Sequence, residues 1–272
     1  MMASGVERAA MSDDKLLVER EGPLAWITFN NPAKHNAISL DMWRALGRAL
    51  EGIAQDREVR CILLRGAGER AFVSGADISE FAGQRRSPKD VAAYDEAADH
   101  ALGLLQSTPQ PSVAMISGYC FGGGVAIALS CDIRIAGSDA LFSVPAARLG
   151  LGYGWLGTRK LLDVVGPAWA ADMLFSARRY GATEALAMGL ITQFHPVAEL
   201  QAQVGAYAST IAENAPLTIQ AAKTIIKELS RPSGNADLAL CDRLVAECFA
   251  SEDYAEGAQA FAAKRKPRFV GR

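Results

Sequence analysis

One long stretch of the chain carries no charged side chain, and it limits what the protein can fold into. From Ala101 to Cys131 there is no Asp, Glu, Lys or Arg. A membrane-spanning helix needs about 20 mainly apolar residues with an unbroken backbone ladder. Prolines and glycines interrupt this stretch, so it predicts two short buried elements around a glycine turn. The interrupting residues are Pro109, Pro111, Gly118, Gly122, Gly123 and Gly124.

Composition is that of an ordinary globular protein. The 272 residues are 50% hydrophobic and 21% charged, with a net charge of −2. Near-neutral charge argues against nucleic-acid binding, which depends on clustered Lys and Arg. Residues 1–14 mix charged and small side chains without a long apolar run, so we expect a disordered N-terminal tail rather than a signal peptide.

The cysteines indicate a reducing compartment. They are odd in number and widely spaced, and no CxxC pair occurs among them. With only three histidines in the chain, a zinc site has little support. We therefore expect free thiols in a cytoplasmic protein without a bound metal. The cysteines are Cys61, Cys120, Cys131, Cys241 and Cys248.

Hydrophobic periodicity predicts strands alternating with helices, followed by helices alone. Residues 15–29 alternate around Gly22-Pro23 and predict a hairpin. Ser39 is placed to cap a helix, and a second helix is predicted over 88–108. The pattern favours an α/β core with a helical C-terminal region. Buried strands are predicted at 60–65, 112–117 and 132–136, a loop at 71–79, short helices over 157–189 and longer ones over 199–266.

Two glycine-containing segments each follow a predicted buried strand. They are AFVSGADI at 71–78 and SGYCFGGG at 117–124. A glycine turn at the start of a helix leaves N–H groups that attract a polarised oxygen. Two such turns brought together would hold one carbonyl oxygen between two N–H groups, as an oxyanion hole does. Each segment alone is also a tight turn that lets backbone pack closely, and neither has the GxGxxG spacing of a dinucleotide site.

Together and in this order, these segments resemble the crotonase superfamily, the enoyl-CoA hydratase/isomerase family. The resemblance runs from Lys15 to Phe269. It implies a crotonase-like α/β spiral of ββα units over 15–198 and a helical trimerisation region over 199–272. It also implies homotrimers or dimers of trimers, with no metal or redox cofactor, because CoA enters as part of the substrate. Further matching points are Asn31-Pro32, Asn36-Ala37, Cys131-Asp132, Phe142, Pro145, Gly150 and the segment 261–265.

The resemblance also implies a site. The N–H groups of Ala76 and Gly123 would bind the thioester carbonyl of an acyl-CoA, and a helix dipole at Gly123 would help to stabilise an enolate-like anion. Two of the residues named next have a structural alternative: Lys264 is also consistent with a solvated basic tail, and His35 with a histidine in a surface loop. The implied CoA-binding residues are Lys34, His35, Ala37, Ser74, Ala76, Asp77, Ile78, Phe261 and Lys264.

The positions that carry the family's acids lack carboxylates here. Hydratases of the family place two glutamates on the reacting water, and these positions are Ala126 and Ala146. An acid that some relatives carry eight residues further on is replaced by Gly154. A positioned acid or base contributes typically 10²–10⁴-fold, and alanine cannot move a proton. The sequence thus predicts slow or absent hydration of crotonyl-CoA.

Several side chains are candidates to replace the missing acids. Asp95, Glu96 and His100 lie on the predicted 88–108 helix, where Glu96 and His100 share a face that also suits a solvated ion pair. Tyr153 is a further candidate; like Tyr119 and Arg148, it lies near active-site positions in the sequence and also suits a packed or interface role. Gly152, Gly154 and Trp155 are candidates to reshape the acyl pocket, and Trp155 also suits the core.

Three functional hypotheses follow. The first is an acyl-CoA lyase or isomerase of the kind found in fatty acid metabolism. The second is an acyl-CoA-binding protein without chemistry, suggested by the two alanines. The third is a serine hydrolase that uses a similar oxyanion hole. It would need a Ser–His pair, and no histidine matches Ser74, Ser117 or Ser143.

Overall fold

The computed structural model describes residues 15–77, 88–231 and 234–272. The expected tail over 1–14 and the implied CoA contact Ile78 lie outside the described residues. The strands are β1 (Leu16–Glu21), β2 (Leu24–Phe29), β3 (Cys61–Gly66), β4 (Ala71–Val73), β5 (Ser112–Ile116), β6 (Tyr119–Phe121), β7 (Ile133–Gly137), β8 (Leu141–Ser143), β9 (Tyr180–Gly181) and β10 (Gln193–His195).

Helices alternate with these strands and continue after the last strand. A single 3₁₀ turn at Pro32–Lys34 precedes the first of them. The helices are α1 (Leu40–Gln55), α2 (Pro88–Ser107), α3 (Gly123–Ser130), α4 (Ala146–Leu149), α5 (Trp155–Ser176), α6 (Ala182–Ala187), α7 (Val197–Ala212), α8 (Pro216–Leu229), α9 (Leu238–Phe249) and α10 (Glu252–Ala262).

The strands form two sheets, and from β3 to β8 successive strands alternate between them. The larger sheet has the order β1-β2-β3-β5-β7-β10 and the smaller one β4-β6-β8-β9. From β3 to β8, each pair of strands is followed by a helix and adds one parallel strand to each sheet. The last two strands differ, because β9 pairs antiparallel with β8 and α6 lies between β9 and β10. This arrangement confirms the predicted spiral of ββα units and the β1–β2 hairpin.

The main core contains side chains from both sheets and from helices α1, α2, α3, α5 and α6. The hydroxyl of Ser39 caps α1 by accepting a hydrogen bond from the N–H of Met42 at 3.2 Å, as predicted. Below it, α1 buries Trp43, Leu46 and Leu50 completely or nearly so. Each such side chain contributes about 1.5–3 kcal/mol through removal from water, which anchors α1 to the sheet.

The opposite face of the larger sheet is covered by α7. Leu200 and Val204 of this helix belong to one buried cluster with Trp26 and Leu63 of the sheet. The expected boundary between residues 198 and 199 therefore falls inside a helix that completes the core. The remaining helices, α8 to α10, follow Ala212.

Short strands account for the differences from the predicted elements. The segment 71–79 was expected to be a loop, but its first three residues form β4. After Ala140, where only helices were expected, β8, β9 and β10 add two or three residues each. Strands this short show no periodicity, because hydrogen bonds from distant neighbours alone define them.

The cysteines are free thiols, and the most deeply buried ones hold their protons. Burial raises the pKa of Cys61 and Cys131 to about 12, and it also raises that of Cys120. Within the described ranges, no three His, Cys, Asp or Glu side chains cluster as metal ligands would. None of the helices described is both long and apolar enough to span a bilayer.

Candidate active site

A buried asparagine shapes the loop that begins the site. The Oδ1 atom of Asn36 accepts a hydrogen bond from the N–H of Asn31 at 3.0 Å. Its Nδ2 atom donates to the carbonyls of Ala67 and Ala71, at 3.0 and 2.7 Å. Asn36 adopts a φ of +55°, a left-handed conformation that asparagine tolerates better than most residues. Asn31 and Asn36, two of the residues that carry the family resemblance, thus hold this loop against the turn between β3 and β4.

The loop then pairs with the segment after β4. The N–H of Ile38 donates to the carbonyl of Gly75 at 2.8 Å, and the N–H of Asp77 donates to the carbonyl of Ile38 at 3.0 Å. A parallel bridge of this kind uses the groups on either side of Ala76. The N–H of Ala76 therefore points away from Ile38, and the residue is partly exposed.

The second turn leads from β6 into α3. Gly122 has a φ of +49°, and its N–H donates to the carbonyl of Ser143 at 2.9 Å. The first hydrogen bond of α3 joins the N–H of Ala126 to the carbonyl of Gly122, at 3.1 Å. Gly123 is the first residue of this helix, so its own N–H has no acceptor within the helix.

The two turns lie against each other. A methyl group built on Gly123 would be 3.9 Å from the carbonyl carbon of Gly75, and one on Gly122 would be 3.9 Å from its Cα. The start of α3 lies so close to β4 that a methyl group on Gly124 would be 2.2 Å from the carbonyl oxygen of Val73. The structure thus packs the turn that carries Gly75 and Ala76 against the turn that carries Gly122 and Gly123.

Three residues that the sequence analysis missed form the wall behind this pair. A methyl group on Gly123 would lie 3.5 Å from Cγ2 of Ile38 and 3.8 Å from Cζ2 of Trp43. The hydroxyl of Tyr94 donates to the carbonyl of Ile38 at 3.3 Å, and its ring meets that of Trp43 edge-on at 6.3 Å. Ile38 and Trp43 look like ordinary core positions in the sequence, so no local signal distinguishes them.

The two positions of the missing acids are apolar in the structure. Ala126 lies one turn beyond Gly123 on the same partly exposed face of α3, and Ala146 begins α4. Both pack against the main core, as does Tyr153. The methyl side chains of Ala126 and Ala146 offer no proton donor or acceptor.

Tyr153 carries a buried hydroxyl that has no hydrogen-bond partner among the described residues. Its ring lies against α5, where a methyl group on Gly157 would be 3.1 Å from the hydroxyl oxygen. Burial raises the pKa of Tyr153 to about 12, and the nearby Cys120 thiol adds to the shift. The phenol therefore keeps its proton at neutral pH.

On α2, the candidate His100 pairs with a residue of α1. His100 is 3.1 Å from Oε1 of Glu51 on α1, not paired with Glu96 as its spacing suggested. Glu51 lies eight residues beyond Trp43, about 12 Å further along that helix at 1.5 Å per residue. Asp95 and Glu96 are exposed. Interhelical packing turns His100 toward α1, which sequence spacing alone does not show.

Most of the implied CoA-binding residues lie close to one another, in the two segments 34–37 and 74–77. Lys34 donates to the buried carboxylate of Asp77 at 2.7 Å, and the N–H of Ser74 donates to the carbonyl of His35 at 3.2 Å. Ala37 is buried beside them. These contacts form one rim next to Ala76.

The remaining implied CoA contacts lie elsewhere. Phe261 is 88% exposed near the end of α10, and Lys264 follows that helix with a φ of +53°. The groove beside Phe261 is lined by residues of α8, α9 and α10 rather than by the rim. Trp155, for which a core position was one alternative, is 76% exposed. Arg148 is exposed too, whereas Tyr119 stacks on Phe121 with a ring separation of 5.1 Å.

The three candidate serines have no histidine partner in the described part of the chain. Ser74 donates to the carbonyl of Lys34, Ser117 to the carboxylate of Asp139, and Ser143 to the carbonyl of Ala177. A serine nucleophile needs a base within hydrogen-bond reach. The geometry gives no support to the serine hydrolase hypothesis.

Known proteins are similar to this chain over almost its whole length. Residues 19–272 match the family model described as enoyl-CoA hydratase/isomerase. A short-chain-enoyl-CoA hydratase of Clostridium acetobutylicum is 34% identical over 94% of this chain and 97% of its own length. A solved enoyl-CoA hydratase/carnithine racemase of Magnetospirillum magneticum superimposes with a TM-score of 0.90 at 37% identity, over 96% of this chain and 97% of that one. An enoyl-CoA hydratase of Bacillus anthracis has the same TM-score at 29% identity, over 95% and 100% of the two chains.

Proposed function

Since this chain belongs to the enoyl-CoA hydratase/isomerase family, we propose that it is an acyl-CoA enzyme that polarises a thioester carbonyl between the N–H groups of Ala76 and Gly123. The observation that carries this proposal is the close packing of the two glycine turns, which leaves both N–H groups directed away from their own secondary structure. CoA is part of the substrate in this proposal, and neither a metal nor a redox cofactor takes part.

The chemistry of such a pair is to stabilise negative charge on oxygen. When an acyl thioester forms an enolate, charge moves onto the carbonyl oxygen, and both N–H groups would donate to it. The dipole of α3 adds to this effect at Gly123. A donor of this type typically contributes about 3–4 kcal/mol to lowering the barrier.

We further propose that the rim formed by Lys34, His35, Ser74 and Asp77 holds the CoA part of the substrate. The side chain of Lys34 is half exposed, and its ammonium group is paired with the buried carboxylate of Asp77, which holds a positive charge at the rim. The five unpaired thiols support a reducing compartment such as the cytoplasm.

Hydration of an enoyl-CoA should be slow in this protein, because Ala126 and Ala146 replace the two acids that act on the reacting water. We expect wild-type protein to hydrate crotonyl-CoA slowly or not at all, and the Ala126→Glu/Ala146→Glu variant to gain at least about 10²-fold, because it restores the acid and the base. Loss of the absorbance of the conjugated thioester measures the rate.

The matched control for this experiment is Ala126→Gln/Ala146→Gln. It adds the same volume without a carboxylate, so it should show no gain. Wild-type turnover at the rate of an ordinary hydratase would contradict the prediction.

Binding without chemistry is the second candidate function, and the same two alanines favour it. A panel of acyl-CoA thioesters that bind but are never converted would support this alternative. Conversion of any one of them would exclude it.

We also propose that the chain assembles as a homotrimer or a dimer of trimers through the helices that follow Ala212. Ile226, Leu229 and Phe249 are each more than 60% exposed there, and Phe261 is more exposed still. Light scattering should give a mass of three or six chains. The Leu229→Asp/Phe249→Asp variant should shift that mass toward one chain, and a monomeric wild type would contradict the proposal.

A further inference from the structure

One cavity lies far from the glycine turns, at the other end of α1. It has a volume of about 210 Å³, and a cavity of about 150 Å³ is already large enough for a benzene ring. Helix α1 begins two residues after Ile38, and its 16 residues extend about 24 Å at 1.5 Å per residue. Residues that follow its end, Arg57 and Arg60 among them, line the cavity. The cavity is therefore separate from the proposed acyl-CoA site.

The two arginines have no carboxylate partner among the described residues. The neighbouring carboxylates of Asp56 and Glu58 both pair with Arg20, at 3.1 and 2.7 Å. Arg60 donates to a carbonyl of the C-terminal segment at 3.2 Å, and the side chain of Arg57 makes no hydrogen bond within the described ranges. A guanidinium group can hold a carboxylate through two parallel N–H bonds. The cavity wall thus carries positive charge that suits an anion.

The start of α8 adds to this positive charge. Ala215 precedes the helix and offers no side-chain cap, and the first hydrogen bond of the helix joins the N–H of Ile219 to the carbonyl of Ala215 at 3.2 Å. The N–H groups of Leu217 and Thr218 therefore have no acceptor within the helix. Leu217 lines the cavity, so the positive end of the dipole of α8 lies at its wall.

Gln110 also lines the cavity, and its side chain leaves one atom unpaired. The residue is 4% exposed, and its Nε2 atom donates to the carbonyls of Ile53 and Asp56 at 3.0 and 3.1 Å, which fixes the orientation of the amide. Its Oε1 atom is buried and has no hydrogen-bond partner among the described residues. A buried polar atom of this kind is typically satisfied by a bound water or ligand. The unpaired atom points to an occupant of the cavity.

We propose that this cavity is a binding site for a small organic carboxylate. The charged group pairs with Arg57 and Arg60, and the apolar body packs against Val59 and Ile211, which also line the cavity. The walls come from the core, from the start of α8 and from residues 270–271. A bound molecule therefore joins these parts and stabilises the folded chain by mass action.

Benzoate is the probe, and calorimetry of the full chain measures its binding. Wild-type protein should bind benzoate more tightly than benzyl alcohol, which has the same ring without a charge. It should also bind benzoate more tightly than inorganic phosphate, which lacks an apolar body. Arg57→Gln should weaken benzoate binding by about tenfold or more, because hydrogen bonds to a charged group are lost.

Arg48→Gln is the matched control, since it removes the same charge from an exposed position on α1. This variant should bind benzoate like wild type. Benzoate should also raise the melting temperature of wild type and Arg48→Gln more than that of Arg57→Gln.

Three results would overturn the proposal: no binding of benzoate to wild type, equal binding of benzoate and benzyl alcohol, or undiminished benzoate binding by Arg57→Gln. Tighter binding of phosphate than of benzoate would overturn the assignment to an organic carboxylate. Arg57→Gln should still bind the enolate of acetoacetyl-CoA like wild type, so failure of this site leaves the proposed acyl-CoA site untouched.

Discussion

Replacing Gly123 by proline should weaken binding of a thioester enolate by about 10²-fold or more while leaving the fold intact. Proline removes one N–H from the pair, and losing such a donor typically costs 10²–10³-fold. It is also well tolerated at the first position of a helix, where the N–H makes no intrahelical bond. Its Cβ would meet neighbours at ordinary contact distances of 3.5–3.9 Å.

Acetoacetyl-CoA gives a readout that does not depend on turnover. Its enolate absorbs where the keto form does not, so the enolate fraction of the bound ligand can be followed by titration with pH. Wild-type protein should stabilise the enolate and lower the apparent pKa of the ligand, whereas Gly123→Pro should raise that pKa back toward the value in free solution.

Gly123→Ala is the matched control, because it adds the same Cβ and keeps the N–H. This variant should bind the enolate like wild type. Equal binding by the proline and alanine variants would show that the N–H of Gly123 does not contact the thioester oxygen.

The neighbouring substitution, Gly124→Ala, should damage both stability and the site. Its methyl group would fall 2.2 Å from the carbonyl oxygen of Val73 and 3.1 Å from Cβ of the same residue. Two of the three nearest atoms belong to the backbone of β4, so a side-chain rotation cannot relieve the clash and α3 must shift by about 1 Å. A displacement of that size in a catalytic group can cost 10²-fold.

Overpacking of this kind typically costs about 1–3 kcal/mol. At about 2–4 °C per kcal/mol, the melting temperature of Gly124→Ala should fall by roughly 5 °C. Calorimetry of the Gly123→Ala and Gly124→Ala variants makes the comparison, since the same methyl group is added one residue apart. A melting temperature equal to that of wild type in both variants would mean that the start of α3 does not lie against β4 as described.

Local patterns predicted the parts of the fold that short segments of the chain specify. The alternation around Gly22-Pro23 identified the hairpin, and Ser39 identified the start of α1. The glycines at 75 and 122–124 identified the two turns. Gly75 and Gly122 have a positive φ there, which few other residues adopt. Order and spacing of these motifs also identified the family.

Other features depend on contacts between residues far apart in the sequence. β4, β8 and β10 have three residues each, and a strand of that length exists only because a partner strand supplies its hydrogen bonds. His100 was a catalytic candidate by spacing, yet the packing of α2 on α1 pairs it with Glu51. α7 was assigned to a separate region, yet its apolar face completes the core beneath the larger sheet.

The sequence alone determined which groups the site has and which it lacks: two glycine turns that expose N–H groups, and alanine in place of both acids. The tertiary structure decided how these groups meet. It placed Ile38 beside Ala76, Trp43 behind Gly123, and Tyr94 on the carbonyl of Ile38. The reason is physical, since a residue's chemistry is local, whereas the distance between two N–H groups depends on how sheets and helices far apart in the chain pack together.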